Sequence, residues 1–455
     1  MNESSAGSFD LDRFFDEQRL RPFHAFILVI LTLVMLIDGY DISVVGLMLP
    51  FISHDWGVKP SSLTGVFVVQ QLGLLVGVAF GGALGDRFGR RPVLIACMTA
   101  FGLCTLLIAQ THSSIQLTVL RFISALFFSS VLPNCVAYAS EIAPKKYRAA
   151  FITIVFCGYT GGHFISALVL AFVVGPLGWH GAFYVGGLLP LLLVPVVWLY
   201  LPESARFLAS RRAPAGTIGK LLQRFDPSLL LQGTERFVVA GAAQKAARFP
   251  VGDLFRGGLL RLTLLVWAGY FFAFMLNQLT SNWDTTILHD VARLPVEHIA
   301  LILTCRTAAG MVGTITSGML MDRFGASRML ASFYLATATL LALIGFLDLG
   351  SMLALGIFTL LSFASNSGLA GLNAIAAIIY PARMRVTGVA WGSGMGRIGG
   401  MIGPVFGGML LAGVPNITVI YVCAAVPAAL TALAIFSMAW NGQSEPRSGP
   451  EAVRV

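Results

Sequence analysis

GGALGDRFGRR at residues 81–91 returns as SGMLMDRFGASR at 317–328, with Asp86 matched by Asp322 and Gly89 by Gly325 at an offset of 236. A second loop behaves the same way. APKKYRA at 143–149 returns as YPARMRV at 380–386, with Pro144 matched by Pro381 and Arg148 by Arg385 at an offset of 237. Two separate loops sharing nearly one offset make chance a poor cause. The chain therefore reads as two related halves.

The segments between these loops are oily. Of 455 residues, 56% are hydrophobic and 11% are charged, with 49 glycines, a composition far from that of a soluble globular protein. The long apolar runs fit bilayer-spanning helices of about 20 residues, not the alternating ten-residue strands of a membrane barrel. The expected fold class is an all-α membrane protein with twelve transmembrane helices in two six-helix pseudo-repeats. Its spans fall at 23–52, 61–84, 92–111, 115–140, 149–174, 179–201, 258–283, 297–321, 328–347, 350–379, 386–412 and 417–440. This gives a tail at 1–22, a six-helix bundle at 23–201, a charged linker at 202–257, a second bundle at 258–440 and a tail at 441–455. Residues 1–22 show no cleavable signal pattern.

The net charge of +9 is explained by orientation, and no nucleic-acid partner is implied. Arg13, Arg19, Arg21, Arg87, Arg90, Arg91, Lys145, Lys146, Arg148, Arg211, Arg212, Lys220 and Arg224 all fall on one side of the expected spans, leaving little more than Lys59 and Arg293 on the other. By the positive-inside rule both termini are expected in the cytoplasm. The six cysteines lie in apolar stretches with no CxxC pair or nearby histidine, so neither a metal site nor a disulfide is supported. GRIGG at 396–400 lies inside a span, follows no strand and lacks a P-loop lysine, so no nucleotide cofactor is implied.

Charges inside the spans call for a function. Asp38 and Asp41 sit within LTLVMLIDGYDISVVGLMLP at 31–50, and a charge at the centre of a spanning helix costs roughly 2.5–3.5 kcal/mol, about 5–7 for two. Three residues apart, they share a helix face. Two carboxylates this close in a poorly solvated cavity are expected to titrate as one unit and to couple a proton; a structural capping role is the competing reading. Arg397, among Gly394, Gly396, Gly399 and Gly400, has room to bind a carboxylate through two parallel hydrogen bonds, or to pair with an aspartate of the first span. His163 lies near the repeat position of Arg397 and either assists the proton or is structural. Tyr40, Phe164, Phe274, Tyr270 and Trp391 are candidate faces for an aromatic ring, against a simple packing role. The intramembrane amides Asn134, Asn277, Asn366 and Asn373 either line a cavity or tie helices, and Asn277, the repeat counterpart of Asp41, is the strongest of them.

Gly82, Leu84, Gly85, Asp86, Arg87, Gly89, Arg90 and Arg91, with PESARFL at 202–208 and Arg121 in the fourth span, resemble the motifs of the major facilitator superfamily of secondary transporters. DGYD at 38–41 with GMGRIGGMIGP at 394–404 is similar to its aromatic acid:proton symporter branch. SALFFSS at 124–130 and SNWDTTIL at 281–288, with Asp284 and no proline, depart from the usual patterns.

The resemblance implies alternating access around a midplane cavity in a bacterial inner-membrane protein, expected as a monomer, that imports benzoate-like or hydroxybenzoate-like anions with protons. It implies a cytoplasmic gate from Gly85, Asp86, Arg90, Glu141, Arg148 and Asp322. Asp284 and Arg306 are a possible outer gate, although Arg306 equally suits a snorkelling position. A symporter for another organic acid and a proton-antiport efflux pump stay open as alternatives. No nucleophile with an adjacent base is evident, so an enzyme is not expected.

Overall fold

A computed structural model describes residues 8–229, 236–238, 254–255, 259–380, 385–413 and 416–442. Pro381 of the second repeated loop lies outside them, as do the side chains of Asn373 and Arg385; Gly82 falls within the helix that ends at Phe88. The chain forms two compact units, 1–247 and 248–455. Among the described residues, twelve helical stretches are long and apolar enough to cross a membrane.

The first unit runs β1 (Ser8–Asp10), α1 (Leu11–Glu17), α2 (Pro22–Asp55), α3 (Thr64–Phe88), α4 (Arg90–Ile108), α5 (Ser114–Phe128), α6 (Val131–Ile142), α7 (Arg148–Phe172), α8 (Val174–Tyr200), α9 (Ala205–Ser210), α10 (Ala215–Phe225) and β2 (Arg236–Val238). The second runs α11 (Leu260–Thr286), α12 (Val296–Phe324), α13 (Ala326–Ile344), α14 (Met352–Ile379), α15 (Arg385–Gly413) and α16 (Ile417–Gly442). In the first unit α2 packs on α7, α3 on α5 and α4 on α8; in the second, α11 packs on α15, α12 on α14 and α13 on α16. The internal repeat thus governs packing as well as sequence.

Two pairs of glycines show why. Gly89 and Gly325 hold φ of 101° and 90° where one spanning helix turns into the next, a backbone region that a β-carbon disfavours. The repeated loop therefore needs glycine at both positions. Gly162 on α7 and Gly399 on α15 stand 237 apart. A β-carbon on the first would run into the carbonyl oxygen of Leu36, and on the second into that of Phe271. Such close approach is how spanning helices gain contact without a hydrophobic drive toward each other.

Three local departures follow from sequence. The expected fourth span breaks into α5 and α6 at Ser129 and Ser130, with Ser129 Oγ donating to Leu126 O at 3.1 Å, a back-bond that competes with the helix ladder. Gly178, at φ 64°, interrupts α8 just before Trp179. α11 runs on through a π-helical turn at Ile287–Val291, beyond the expected end of the seventh span.

The amino-terminal segment is docked on the unit. β1 pairs in parallel with β2. Asp10 caps α1 by accepting from the backbone N–H of Asp12 at 2.9 Å, and Phe15 meets Phe225 of the amphipathic α10 edge-on at 5.2 Å. Ion pairs Asp12–Arg206 (2.7 Å), Asp16–Arg148 (2.5 Å) and Arg21–Asp226 (2.8 Å) fasten it further.

Overpacking a tight contact costs about 1–3 kcal/mol, occasionally more. Gly162→Val is therefore expected to lower the midpoint of thermal unfolding in detergent strongly. Gly161→Ala, whose added carbon comes no nearer than 3.9 Å to Leu36 Cδ1, is expected to unfold like the parent. Equal midpoints for the two variants would contradict this packing.

Candidate functional site

The most buried charges of the first unit form one network contributed by four helices. Arg121 on α5 donates through Nη1 to Asp41 Oδ2 (2.9 Å), through Nη2 to Asp41 O (2.8 Å) and through Nε to Gln70 Oε1 on α3 (3.3 Å). Thr105 on α4 donates to Asp41 Oδ1 at 2.8 Å. Both side chains of the ion pair are wholly inaccessible. A buried pair tolerates this only when its remaining hydrogen-bonding capacity is met, and Gln70 and Thr105 meet it.

The two first-span aspartates have different surroundings. Asp41 is committed to Arg121 and Thr105, whereas Asp38, one turn earlier and 2% exposed, has a buried Oδ1 with no hydrogen-bond partner among the described residues. An unmatched buried acceptor of this kind costs about 1–3 kcal/mol, more when charged. Asp41 takes Arg121 as an ion partner.

Of the other candidates in this unit, Tyr40 is a packing residue. It is fully buried, its hydroxyl donates to Ala182 O at 2.7 Å, and its ring lies against Gly186, so α2 grips α8 and leaves no ring face for a ligand. His163 is half-buried on α7 with Tyr159 edge-on at 5.2 Å. Its carbonyl accepts from Ser166, which in turn accepts from Ser43 at 2.8 Å. Phe164 is half-buried beside it.

The second unit contains a small cavity of mixed lining, about 370 Å³ with the open solvent at its mouth included, whose walls include Asn277 and Thr280 of α11, Arg306 of α12, Tyr334 and Thr337 of α13 and Ser365 of α14, with leucines between them. Asp284 and Arg306 do meet: Arg306 Nη1 bonds Asp284 Oδ2, and the guanidinium lies 5.7 Å from the ring centre of Phe358. Arg306 is 14% exposed at its side chain, so a protein-lined position replaces the snorkelling alternative. Asn277 and Arg306 stand 236 residues beyond Asp41 and Gln70. The cavity thus occupies repeat positions that carry the ion network in the first unit.

Arg397 is half-buried on α15, and beside it the Phe274 ring lies against Gly396. Trp391 is 45% exposed and stacks on Trp267 with ring centres 6.1 Å apart. It is not among the residues lining that cavity.

The loop motif at 81–91 builds a third cluster in the first unit. Arg90 bonds Asp86 at 2.6 Å, Glu141 at 3.4 Å and Asn134 Oδ1 at 3.4 Å. A β-carbon on Gly85 would strike that same Asn134 oxygen. Glu203 of the PESARFL stretch accepts from the backbone N–H groups of Arg90 (2.9 Å) and Arg91 (3.4 Å), and Ser204 donates to Glu141. Burial pushes the Glu203 carboxyl above the ordinary carboxylate range, with the N–H groups of Ser204, Arg91 and Arg90 opposing it. Arg148 pairs with Asp16 and donates to Ser140 O at 3.1 Å. Asp322 is exposed beside Gly325 in the second unit.

Sequence reasoning missed Gln70, Thr105, Glu203, Asp16, Tyr334 and Thr337. One signal was available: a span containing Arg121 requires a buried acceptor on a neighbouring span, and Asp41 and Gln70 were the polar residues at suitable depth.

Twelve apolar helices in two units with matching internal packing define a polytopic membrane protein built on a repeat. The chain belongs to the Major Facilitator Superfamily, whose sequence profile matches residues 31–296 and 266–454. It is 32% identical to the gallate transporter of Pseudomonas putida over 97% of both chains. It is 31% identical to the 4-hydroxybenzoate transporter PcaK of Acinetobacter baylyi over 94% of both. Among solved structures, an inward-facing, occupied bacterial homolog of the human lysosomal transporter Spinster matches with a TM-score of 0.69 at 15% identity, over 93% of this chain and 98% of that one. This last likeness concerns the fold alone. The protein is a multi-pass transporter of this superfamily.

Breaking a buried ion pair by removing one partner costs about 3–5 kcal/mol, because the other charge is left stranded. Asp41→Asn and Arg121→Gln are each expected to destabilise the purified protein by that order, and the double variant by clearly less than their sum. Additive losses in a double-mutant cycle of thermal unfolding would contradict the pairing.

Proposed function

We propose that this protein is a proton-coupled symporter that imports a small aromatic carboxylate of the benzoate or hydroxybenzoate class by alternating access. The observation that carries the reading is the near end-to-end similarity to the gallate and 4-hydroxybenzoate transporters. Asp38 supplies the coupling. With Asp41 held by Arg121 and Thr105, Asp38 is the first-span carboxylate left to exchange a proton, and His163 on α7 is its proposed assistant. Arg397 anchors the substrate carboxylate, since a planar guanidinium offers two parallel donors where lysine offers a point charge. Phe274 and Phe164 are the proposed ring contacts.

In this reading the loop-motif end of the first unit faces the cytoplasm of a bacterial cell. The Asp86–Arg90–Glu141 cluster and Asp322 then act as the inner gate, and the Asp284–Arg306 pair closes the outer side. A monoanion entering with one proton moves no net charge, so the pH gradient alone drives uptake, at about 1.4 kcal/mol per unit.

The test is uptake of labelled 4-hydroxybenzoate into proteoliposomes with an imposed inward proton gradient. The parent protein is expected to accumulate the acid. Asp38→Asn is expected to lose accumulation while retaining exchange of internal for external acid. Arg397→Lys is expected to raise the half-saturating concentration at least about tenfold, equivalent to ~1.4 kcal/mol. Accumulation that survives in Asp38→Asn removes the proposed coupling, and competition by aliphatic acids alone removes the aromatic assignment.

A further inference from the structure

The cavity of the second unit is chemically mixed in a way that selects among ligands. Three of its hydroxyls have their protons engaged along their own helices: Thr280 donates to Leu276 O and Asn277 O (both 3.1 Å), Thr337 to Phe333 O (2.8 Å) and Ser365 to Ser362 O (3.3 Å). Each therefore offers the cavity acceptor lone pairs. Two further groups supply donors. Tyr334 is 2% exposed, and neither its hydroxyl nor Arg306 Nε has a hydrogen-bond partner among the described residues. Asn277 can act in both senses.

A carboxylate accepts only, so in this cavity it would face the lone pairs of Thr280, Thr337 and Ser365, and it would compete with Asp284, which already neutralises Arg306. A hydroxyl donates and accepts, and it satisfies both sets at once. The repeat explains why space exists here. Asn277 replaces the aspartate found at the corresponding place in the first unit, and the stretch corresponding to Arg121 holds Ile357 and Phe358, so no second guanidinium reaches in from α14.

We propose that this cavity is a selectivity subsite for the phenolic hydroxyl groups of an aromatic acid, with Tyr334 and Arg306 as donors and Thr280, Thr337 and Ser365 as acceptors. The proposal rests on the aromatic-acid reading and adds to it the part of the substrate that is read. A site built to hydrogen-bond a hydroxyl discriminates strongly against the analogue that lacks it, because its buried polar groups are then left unmatched.

The experiment compares uptake efficiencies of benzoate, 4-hydroxybenzoate and 3,4,5-trihydroxybenzoate in proteoliposomes of the full chain. Tyr334→Phe removes one oxygen and is expected to lower the ratio of hydroxylated to unsubstituted acid at least about tenfold. Thr280→Val is expected to shift the ratio in the same direction by removing an acceptor. Tyr421→Phe is the control, because Tyr421 is equally buried with an unpartnered hydroxyl but does not line the cavity. Its ratio is expected to match the parent.

A parental ratio in both Tyr334→Phe and Thr280→Val overturns the subsite, and so does an equal shift in Tyr421→Phe. A parent that transports none of the three acids overturns the aromatic-acid reading together with the subsite, so the two failures are distinguishable.

Discussion

The guanidinium of Arg121 is the constraint on which the first unit depends. A charge with no solvent access must be paired and must have its other donors met, and the sequence answers from three other helices: Asp41 on α2, Gln70 on α3 and Thr105 on α4. Fixing those partners fixes how α2, α3, α4 and α5 meet. It also engages Asp41 with Arg121 and Thr105, whereas Asp38, one turn away, keeps an oxygen with no hydrogen-bond partner among the described residues. A packing requirement thereby separates two residues that look alike in sequence.

The second unit resolves the same positions differently. Asn277 stands where the first unit has Asp41, and Arg306 stands where it has Gln70. The charge has moved from one helix of the repeat to another, its partner Asp284 lies further along α11, and a cavity of mixed lining occupies the vacated region. Matching helix contacts in the two units preserve the scaffold while their interiors diverge. The proposed division of labour is that one unit handles the proton and the other reads the substrate.

Much of the fold was legible because its signals are local or repeated. The two loop motifs set the halves, and Gly89 and Gly325 carry backbone angles that only glycine adopts freely. Long apolar runs placed most spans to within a few residues, except where Ser129 and Ser130 break the fourth and where α11 runs on through Val291. Partnership was not legible. Helical spacing put Asp38 and Asp41 on one face, but periodicity does not say which neighbour covers that face, and Asp41 meets an arginine 80 positions away. For the same reason the sequence did not show that the Tyr40 hydroxyl bonds Ala182 O or that Trp391 stacks on Trp267. Arg148 was expected among the gate charges, and its partner Asp16, supplied by the docked amino-terminal segment, was not foreseen.

The central claim is that binding of the acid and protonation of Asp38 are one linked event, and linkage is measured most directly on the purified protein. Calorimetric titration with 4-hydroxybenzoate in buffers of different ionisation enthalpy reports the protons taken up for each molecule bound. The account predicts net proton uptake by the parent protein at a pH where the free acid is ionised, with that uptake lost in Asp38→Asn while binding persists. Binding by the parent with no proton uptake at any pH, or unchanged uptake in Asp38→Asn, would contradict it.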